Sequence, residues 1–222
     1  GLNMKLDFGL VLPSLPFLAQ GILVTLQYTI ISITFGFILG IILAFMKVSH
    51  VRGFQWFANA YTSIFRGTPL LVQLTLFYFA IPQLTGYRIS AFEAGVLTFS
   101  LNSGAYVSEI IRAGIKAVNK GQLEAALSLG IPYPTAMRDI ILPQAIKNIL
   151  PALINEMIDL LKESTLISVI GEADLLRRAN IIAAEKYVYF EPLIMVGLIY
   201  YVMVMALSWT AKRFERRLQR SD

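Results

Sequence analysis

Cysteine is absent from the 222 residues, and histidine occurs once, as His50. No disulfide framework, thiolate metal site or cysteine nucleophile is therefore available. One histidine supplies neither a multi-histidine metal site nor a serine triad. Between Lys47 and Arg52 it reads as a polar residue at a membrane face. Charge is scarce too: 15% of residues are Asp, Glu, Lys or Arg, where soluble domains carry about 25%. No G-x4-G-K-[ST] run occurs, so the chain has no recognisable nucleotide cradle of its own. These shortages weigh against a membrane enzyme, since no nucleophile, metal cluster or paired His/acid site is visible.

Apolar residues make up 56% of the chain, and the mean hydropathy is +0.65. That excess over a soluble domain says that lipid covers much of the surface. The net charge of +5 does not point to nucleic acid, because Lys and Arg gather beside apolar runs as membrane orientation requires. Residues 21–46 contain no charge; as a helix they measure about 39 Å, enough to cross a hydrocarbon core of about 30 Å. Along them Ser32, Gly36, Gly40 and Ala44 recur every fourth residue, a stripe suited to close helix packing. Five spans are expected in one domain covering 1–222: 17–46, 54–82, 91–114, 143–170 and 187–211. Arg66-Gly67-Thr68-Pro69 divides the second into pieces near 54–65 and 69–81. A loop with Glu172, Asp174, Arg177 and Arg178 is expected before the fifth. Twelve Lys and Arg on one set of connections against five on the other put the N-terminus outside and the C-terminus in the cytoplasm. Five crossings satisfy that orientation.

The long inner connection, 116–142, reads Glu124-Ala125-Ala126, then Gly130 after three residues, then Ile140, Leu142 and Pro143. Gly130 should end a short helix over 122–129, and a second is expected over 135–141. The pattern E-A-A-x3-G-x9-I-x-L-P is complete and resembles the signature of membrane subunits of ATP-binding-cassette importers. Arg66-Gly67-Thr68-Pro69-Leu70-Leu71-Val72-Gln73, the stretch from Ala105 through Glu109 to Ile115, Gly121-Gln122, and Leu161-Lys162-Glu163-Ser164-Thr165-Leu166 resemble the polar amino-acid branch of that family. The resemblance implies an all-α integral membrane protein of the type I importer permease fold, with Glu124, Ala125, Ala126, Gly130 and Pro143 in a cytoplasmic coupling loop. It implies a second permease subunit, identical or paralogous, two ATP-binding subunits at the coupling loop and an extracytoplasmic amino-acid-binding protein. ATP would be bound by those partner subunits, and this chain would hold no cofactor or metal. The setting would be a bacterial-type inner membrane, with lipid around the spans and no nucleic acid.

The fourth span holds Asn155, Glu156, Asp159, Lys162 and Glu163. At about 100° per residue all five fall within a wedge of about 120°. Charges inside a bilayer cost about 2.5–3.5 kcal/mol each and usually mark function. Three acids face one lysine, so a bound guanidinium or ammonium would relieve the imbalance. Asp159 and Glu163, with Asn155 and Glu156, are the candidate substrate contacts; Ser103 and Tyr78 are further candidates on neighbouring spans. The expected function is an ATP-driven importer of basic amino acids (arginine, lysine, histidine) working by alternating access. Alternatives are a permease of the same family for neutral or acidic amino acids, or a proton-coupled transporter relaying protons through Asp159 and Glu163. Glu109 and Arg112 are spaced for a local ion pair.

Overall fold

A computed structural model describes residues 5–220; the outermost residues of the expected domain, 1–4 and 221–222, lie outside the described residues. Every regular element among the described residues is helical. Two short 3-10 turns lead into α1, Leu15–Val48, which Pro16 starts without loss because N–H groups of the first turn have no acceptor within the helix. After a break at Ser49 comes α2, Arg52–Gly67. The chain then turns sharply into α3, Leu70–Thr75, which runs through a π turn over Leu76–Ala80 into α4, Ile81–Thr85. Gly86, at φ 73°, reverses the chain. A capping box at Ser90 and Glu93 starts α5, Ala91–Lys116.

The small-residue stripe packs as expected. Ser32, Gly36, Gly40 and Ala44 are all buried in α1, and α1 lies along α5. A Cβ on Gly36 would stand 2.7 Å from the Cβ of Ser103, and one on Gly104 would meet the side chain of Leu39. Tyr28 of α1 and Phe99 of α5 form a buried group with Leu160 and Ile167 from the fourth span.

The inner connection holds α6, Lys120–Ser128, and α7, Tyr133–Ala136. Here the structure corrects the sequence reading: the second short helix does not stop before the span. From α7 it passes through a π turn at Met137–Ile141 straight into α8, Leu142–Glu163. Pro143 has no N–H to give, and the wide turn just before it absorbs the missing rung. Beyond Glu163 the helix tightens to 3-10 over Ser164–Ile170 and ends at Gly171, φ 90°.

The loop expected before the last span is largely a helix, α9, Leu175–Lys186. The backbone N–H of Arg177 donates to the Asp174 carboxylate at 2.9 Å, an N-cap that starts it. Arg178 donates to the Phe17 carbonyl at 3.1 Å, and Leu175, Ala179 and Ile182 join Val11, Leu18 and Val196 in one core. Apolar periodicity on one face drives this docking. The last helix, α10, Phe190–Arg220, continues through the cationic tail.

Two helical stretches, Phe8–Val48 and Phe190–Arg220, are each long and apolar enough to cross a membrane alone. The pair Arg52–Gly67 and Leu70–Thr85 qualifies together but bends by 103°. The remaining expected crossings fall on α5 and α8, whose hydroxyl, amide and charged residues lower their hydropathy. In α5 the hydroxyl and amide residues are turned inward: Thr98, Ser100, Asn102, Ser103 and Ser108 are all buried.

Candidate functional site

The polar wedge of α8 exists, and packing splits it in two. Asn155, Asp159 and Lys162 are exposed, while Glu156 is buried and Glu163 is half-buried. The angular order explains this: Glu156 and Glu163 lie at the edge of the wedge turned toward α5, and the other three lie at the opposite edge. Glu156 faces Ser103, Asp159 and Glu163. The Ser103 hydroxyl, fully buried midway along α5, is turned toward the Glu156 carboxyl. Lys162 Nζ lies 3.8 Å from Asp159 Oδ1, with both side chains more than half exposed. That contact is long and solvated, so it neutralises Asp159 only weakly.

The structure therefore brings together Asn155, Glu156, Asp159, Glu163 and, from another span, Ser103. Tyr78 is placed differently. It sits in the π turn of the second span, its ring edge-on to Phe79 at 4.9 Å, and packs on the group of Leu74, Ala94 and Ile170. Among the described residues no group of three or more histidine and carboxylate side chains converges as a metal site requires.

The coupling segment presents a second surface. Glu124, Ala125, Gly130 and Pro143 are exposed and Ala126 is buried. Gly130, at φ 82°, closes α6: its N–H donates to Leu127 O and that of Ile131 to Ala126 O, both at 3.0 Å. This is a Schellman end, which asks for glycine. Gln122 and Gln144 pair across to α8, and Val118, Ile141, Ala145 and Ile149 form the core beneath. Leu127, Leu129 and Tyr133 stay exposed on this anchored segment, an apolar patch of the kind that marks a docking surface.

A third constellation escaped the sequence reading in part. Glu109 does pair with Arg112, at 2.6 Å, but it also holds Lys47 of α1 at 2.6 Å and lies 3.9 Å from Arg66 of α2. The Lys47 side chain is 2% exposed and also donates to Ser108 at 2.8 Å. Spacing reveals the local pair; the partners from two other helices have no sequence signal, because the helix seam that aligns them is tertiary.

Comparison with known proteins agrees with this geometry. Residues 36–220 match the family model described as "Binding-protein-dependent transport system inner membrane component". The chain is 52% identical over 219 residues to the arginine transport system permease protein ArtQ of Bacillus subtilis (strain 168), covering 99% of this chain and 100% of that protein. It is 54% identical over 206 residues to a putative glutamine transport system permease protein, GlnP, of Rickettsia felis, covering 93% and 94%. A chain in a crystal structure of an amino acid ABC transporter with histidines superposes with a TM-score of 0.93 at 50% identity, over 96% of this chain and 100% of that one. The fold also matches that of the MetNI methionine ABC transporter, with a TM-score of 0.77 at 19% identity over 93% and 98%.

Proposed function

The chain belongs to the family of binding-protein-dependent transport system inner membrane components, and from that premise we propose that it forms the translocation path for cationic amino acids. It is an amino-acid permease subunit of an ATP-binding-cassette importer with the type I fold. It is not itself an enzyme; hydrolysis of ATP belongs to separate subunits.

The observation that carries the cationic reading is the α8 stripe. Asp159 and Glu163, with Glu156 behind them, stand against Lys162, whose Nζ lies 3.8 Å from Asp159 Oδ1. A guanidinium or ammonium entering along the exposed edge would complete the charge balance. Planar carboxylate pairing suits arginine, and Asn155 and Ser103 add neutral polar groups on the same two helices. The 52% identical relative named for arginine transport fits this choice.

On this reading transport proceeds by alternating access. Two copies of the chain, identical or paralogous, would line the path, with an external binding protein delivering substrate at the end where the chain begins. Two ATP-binding subunits would dock on the exposed patch around Glu124, Ala125, Leu129 and Gly130. Their closure on ATP would draw the coupling segments together. Five crossings, with the N-terminus outside and the C-terminus in the cytoplasm, would put that patch on the ATP side.

A second reading, glutamine or another neutral amino acid, has support in the 54% identical relatives named for glutamine. The deciding experiment reconstitutes the complex with its ATPase and binding protein and measures uptake of arginine, lysine, histidine and glutamine. Cationic uptake should dominate, and Asp159→Asn should lower arginine uptake by about tenfold, the usual scale for one charge-assisted contact. Undiminished arginine uptake by that variant would sink the cationic reading.

A further inference from the structure

The run Arg66-Gly67-Thr68-Pro69-Leu70-Leu71-Val72-Gln73 has no part in the α8 stripe or the coupling patch, yet it builds an elbow of defined mechanics. Its two limbs are bent by 103° from a straight course. A broken helix leaves carbonyls without partners, and Gln73 from the far limb satisfies them. Its Nε2 donates to Phe65 O at 3.0 Å, to Thr68 O at 3.3 Å and to Thr68 Oγ1 at 2.8 Å. The Thr68 hydroxyl in turn donates to Ile64 O at 2.8 Å. Gln73 is 6% exposed, so water does not compete for these bonds. The elbow thus moves as one piece, and Arg66, on the last turn of its first limb, moves with it.

Arg66 reaches back to α5. Its guanidinium lies 5.5 Å over the Tyr106 ring and 3.9 Å from Glu109 Oε2. Glu109 is otherwise committed: Lys47 and Arg112 each hold it at 2.6 Å, and Lys47 is sealed from solvent. The Lys47 pair joins α1 to α5, and the Arg112 pair braces the same carboxylate from within α5. The Arg66 contact is of another kind, because it is beyond hydrogen-bond reach and the side chain is 47% exposed. One carboxylate therefore carries two fixed partners and one loose one. Seven residues beyond Glu109, α5 ends, and three more residues lead into α6 of the coupling segment.

We propose that the Arg66–Glu109 contact is a releasable coupler, through which displacement of the coupling segment is passed along α5 to the elbow of the second span. Arg66 is a positioning residue for the transport cycle, touching no substrate. In one state the elbow rides with α5, as here; in the other Arg66 leaves Glu109, and the elbow turns independently while Lys47 keeps α1 joined to Glu109 of α5.

The test uses the assembled complex in liposomes, and every measurement refers to whichever amino acid stimulates the unmodified complex. Failure of the cationic reading therefore leaves it intact. Because the chain has no cysteine, spin labels can be placed at Ser63→Cys on α2 and Ala113→Cys on α5, both exposed positions. The distance between them should differ between nucleotide-free and ATP-trapped complexes. Arg66→Met should make it the same broad distribution in both states. The same variant should lose uptake about tenfold or more, the scale of a coupling energy, at unchanged half-saturating concentration. Basal ATP hydrolysis should stay within about twofold, as for other exposed substitutions. Arg66→Lys, which keeps the charge, should restore most of the uptake. A label distance that does not change with nucleotide in the parent, or full uptake by Arg66→Met, would overturn the proposal. Should Arg66→Met fail to assemble, the parent label pair decides by itself.

Discussion

Replacing Gly36 with alanine tests whether the seam between α1 and α5 is a packing device. A Cβ at Gly36 would stand 2.7 Å from Ser103 Cβ, 2.8 Å from Ser103 Oγ and 3.3 Å from the Gly104 amide nitrogen. Carbon contacts relax at about 3.5–4.0 Å, so the two helices must part by about 1 Å. They cannot do so locally, because Gly40 meets Val107 and Gly104 meets Leu39 along the same seam. Overpacking of this kind costs about 1–3 kcal/mol. Alanine also favours a helix over glycine by about 1 kcal/mol, which would mask part of the loss. Gly197→Ala in α10 supplies the control, since nothing lies within 4 Å of its Cβ position. The propensity gain is common to both, so the difference between the two variants isolates the packing cost. For a chain of this size about 2–4 °C of melting temperature corresponds to 1 kcal/mol. Melting followed by intrinsic fluorescence in detergent should put Gly36→Ala below Gly197→Ala by roughly 2–12 °C. Equal melting temperatures would refute the close-approach reading of the stripe. A functional corollary comes with it: the displaced Ser103 faces Glu156, so transport should fall further than the lost stability accounts for.

Lys162→Met removes a cation that competes for Asp159. Exposed pairs are worth about 0.2–1 kcal/mol, so half-stimulation of ATP hydrolysis by arginine should need roughly 1.4- to 5-fold less arginine; a higher requirement would show that Lys162 helps the substrate instead. Asp174 lies outside the spans, and burial pushes its carboxyl up from 3.8 to about 6, against the pull of the Arg177 and Leu176 amides and with a small push from Glu172. A raised folded value means that its stabilising contribution is full below the unfolded value and is lost as pH rises through 6. Asp174→Asn keeps the cap and removes the charge, so it should be more stable than the parent at pH 8, by up to about 3 kcal/mol, and no more stable at pH 3, below the unfolded value. Parallel melting curves against pH would contradict this. Gly130→Ala places a Cβ at φ 82°, costing about 1–2 kcal/mol. The end of α6 should fray, so substrate-stimulated ATP hydrolysis should drop while the spans melt unchanged, and Gly130→Asn should retain more stimulation than alanine.

The elements that could be read from sequence are those whose cause is local. Charge-free runs, the Gly67-Thr68-Pro69 break, the Gly130 stop and the four-residue small stripe each carry their reason within a few residues, and each has its counterpart in the structure. Helix α9 was also legible in principle. Asp174 before two leucines, with alanine and isoleucine following at helical spacing, is an N-cap and an apolar face; the neighbouring charges Arg177 and Arg178 hid it. Continuity from α7 into α8 was less legible, because Pro143 reads as a boundary unless a π turn is foreseen. The wedge of α8 followed from helical geometry, but its division did not. Which edge is buried depends on where α5 lies, and no spacing within α8 contains that. The same holds for Lys47, whose partner Glu109 is 62 residues away.

The two charge systems bear on one another through α5. Ser103 faces the acidic stripe, and Glu109, with three cations around its single carboxylate, lies six residues further along the same helix. That separation is about 9 Å of helix rise. A site with surplus negative charge binds a cation well, and for transport it must also release it. The group of Lys47, Arg66 and Arg112 around Glu109 is positive by two formal charges, so a cation bound at the stripe feels repulsion from that end. At an effective dielectric of about 20, each surplus charge at 9 Å contributes about 2 kcal/mol. This is comparable to one charge-assisted hydrogen bond, enough to offset the affinity of the stripe without abolishing it. Lys47 and Arg112 supply a constant share of that field, because their contacts to Glu109 are short and one is buried. Arg66 supplies a share that changes with the position of the elbow. On the proposed coupling, a rearrangement of the second span would therefore alter the electrostatic balance at the proposed cation site through Arg66, while the short contacts of Lys47 and Arg112 hold those two charges at Glu109.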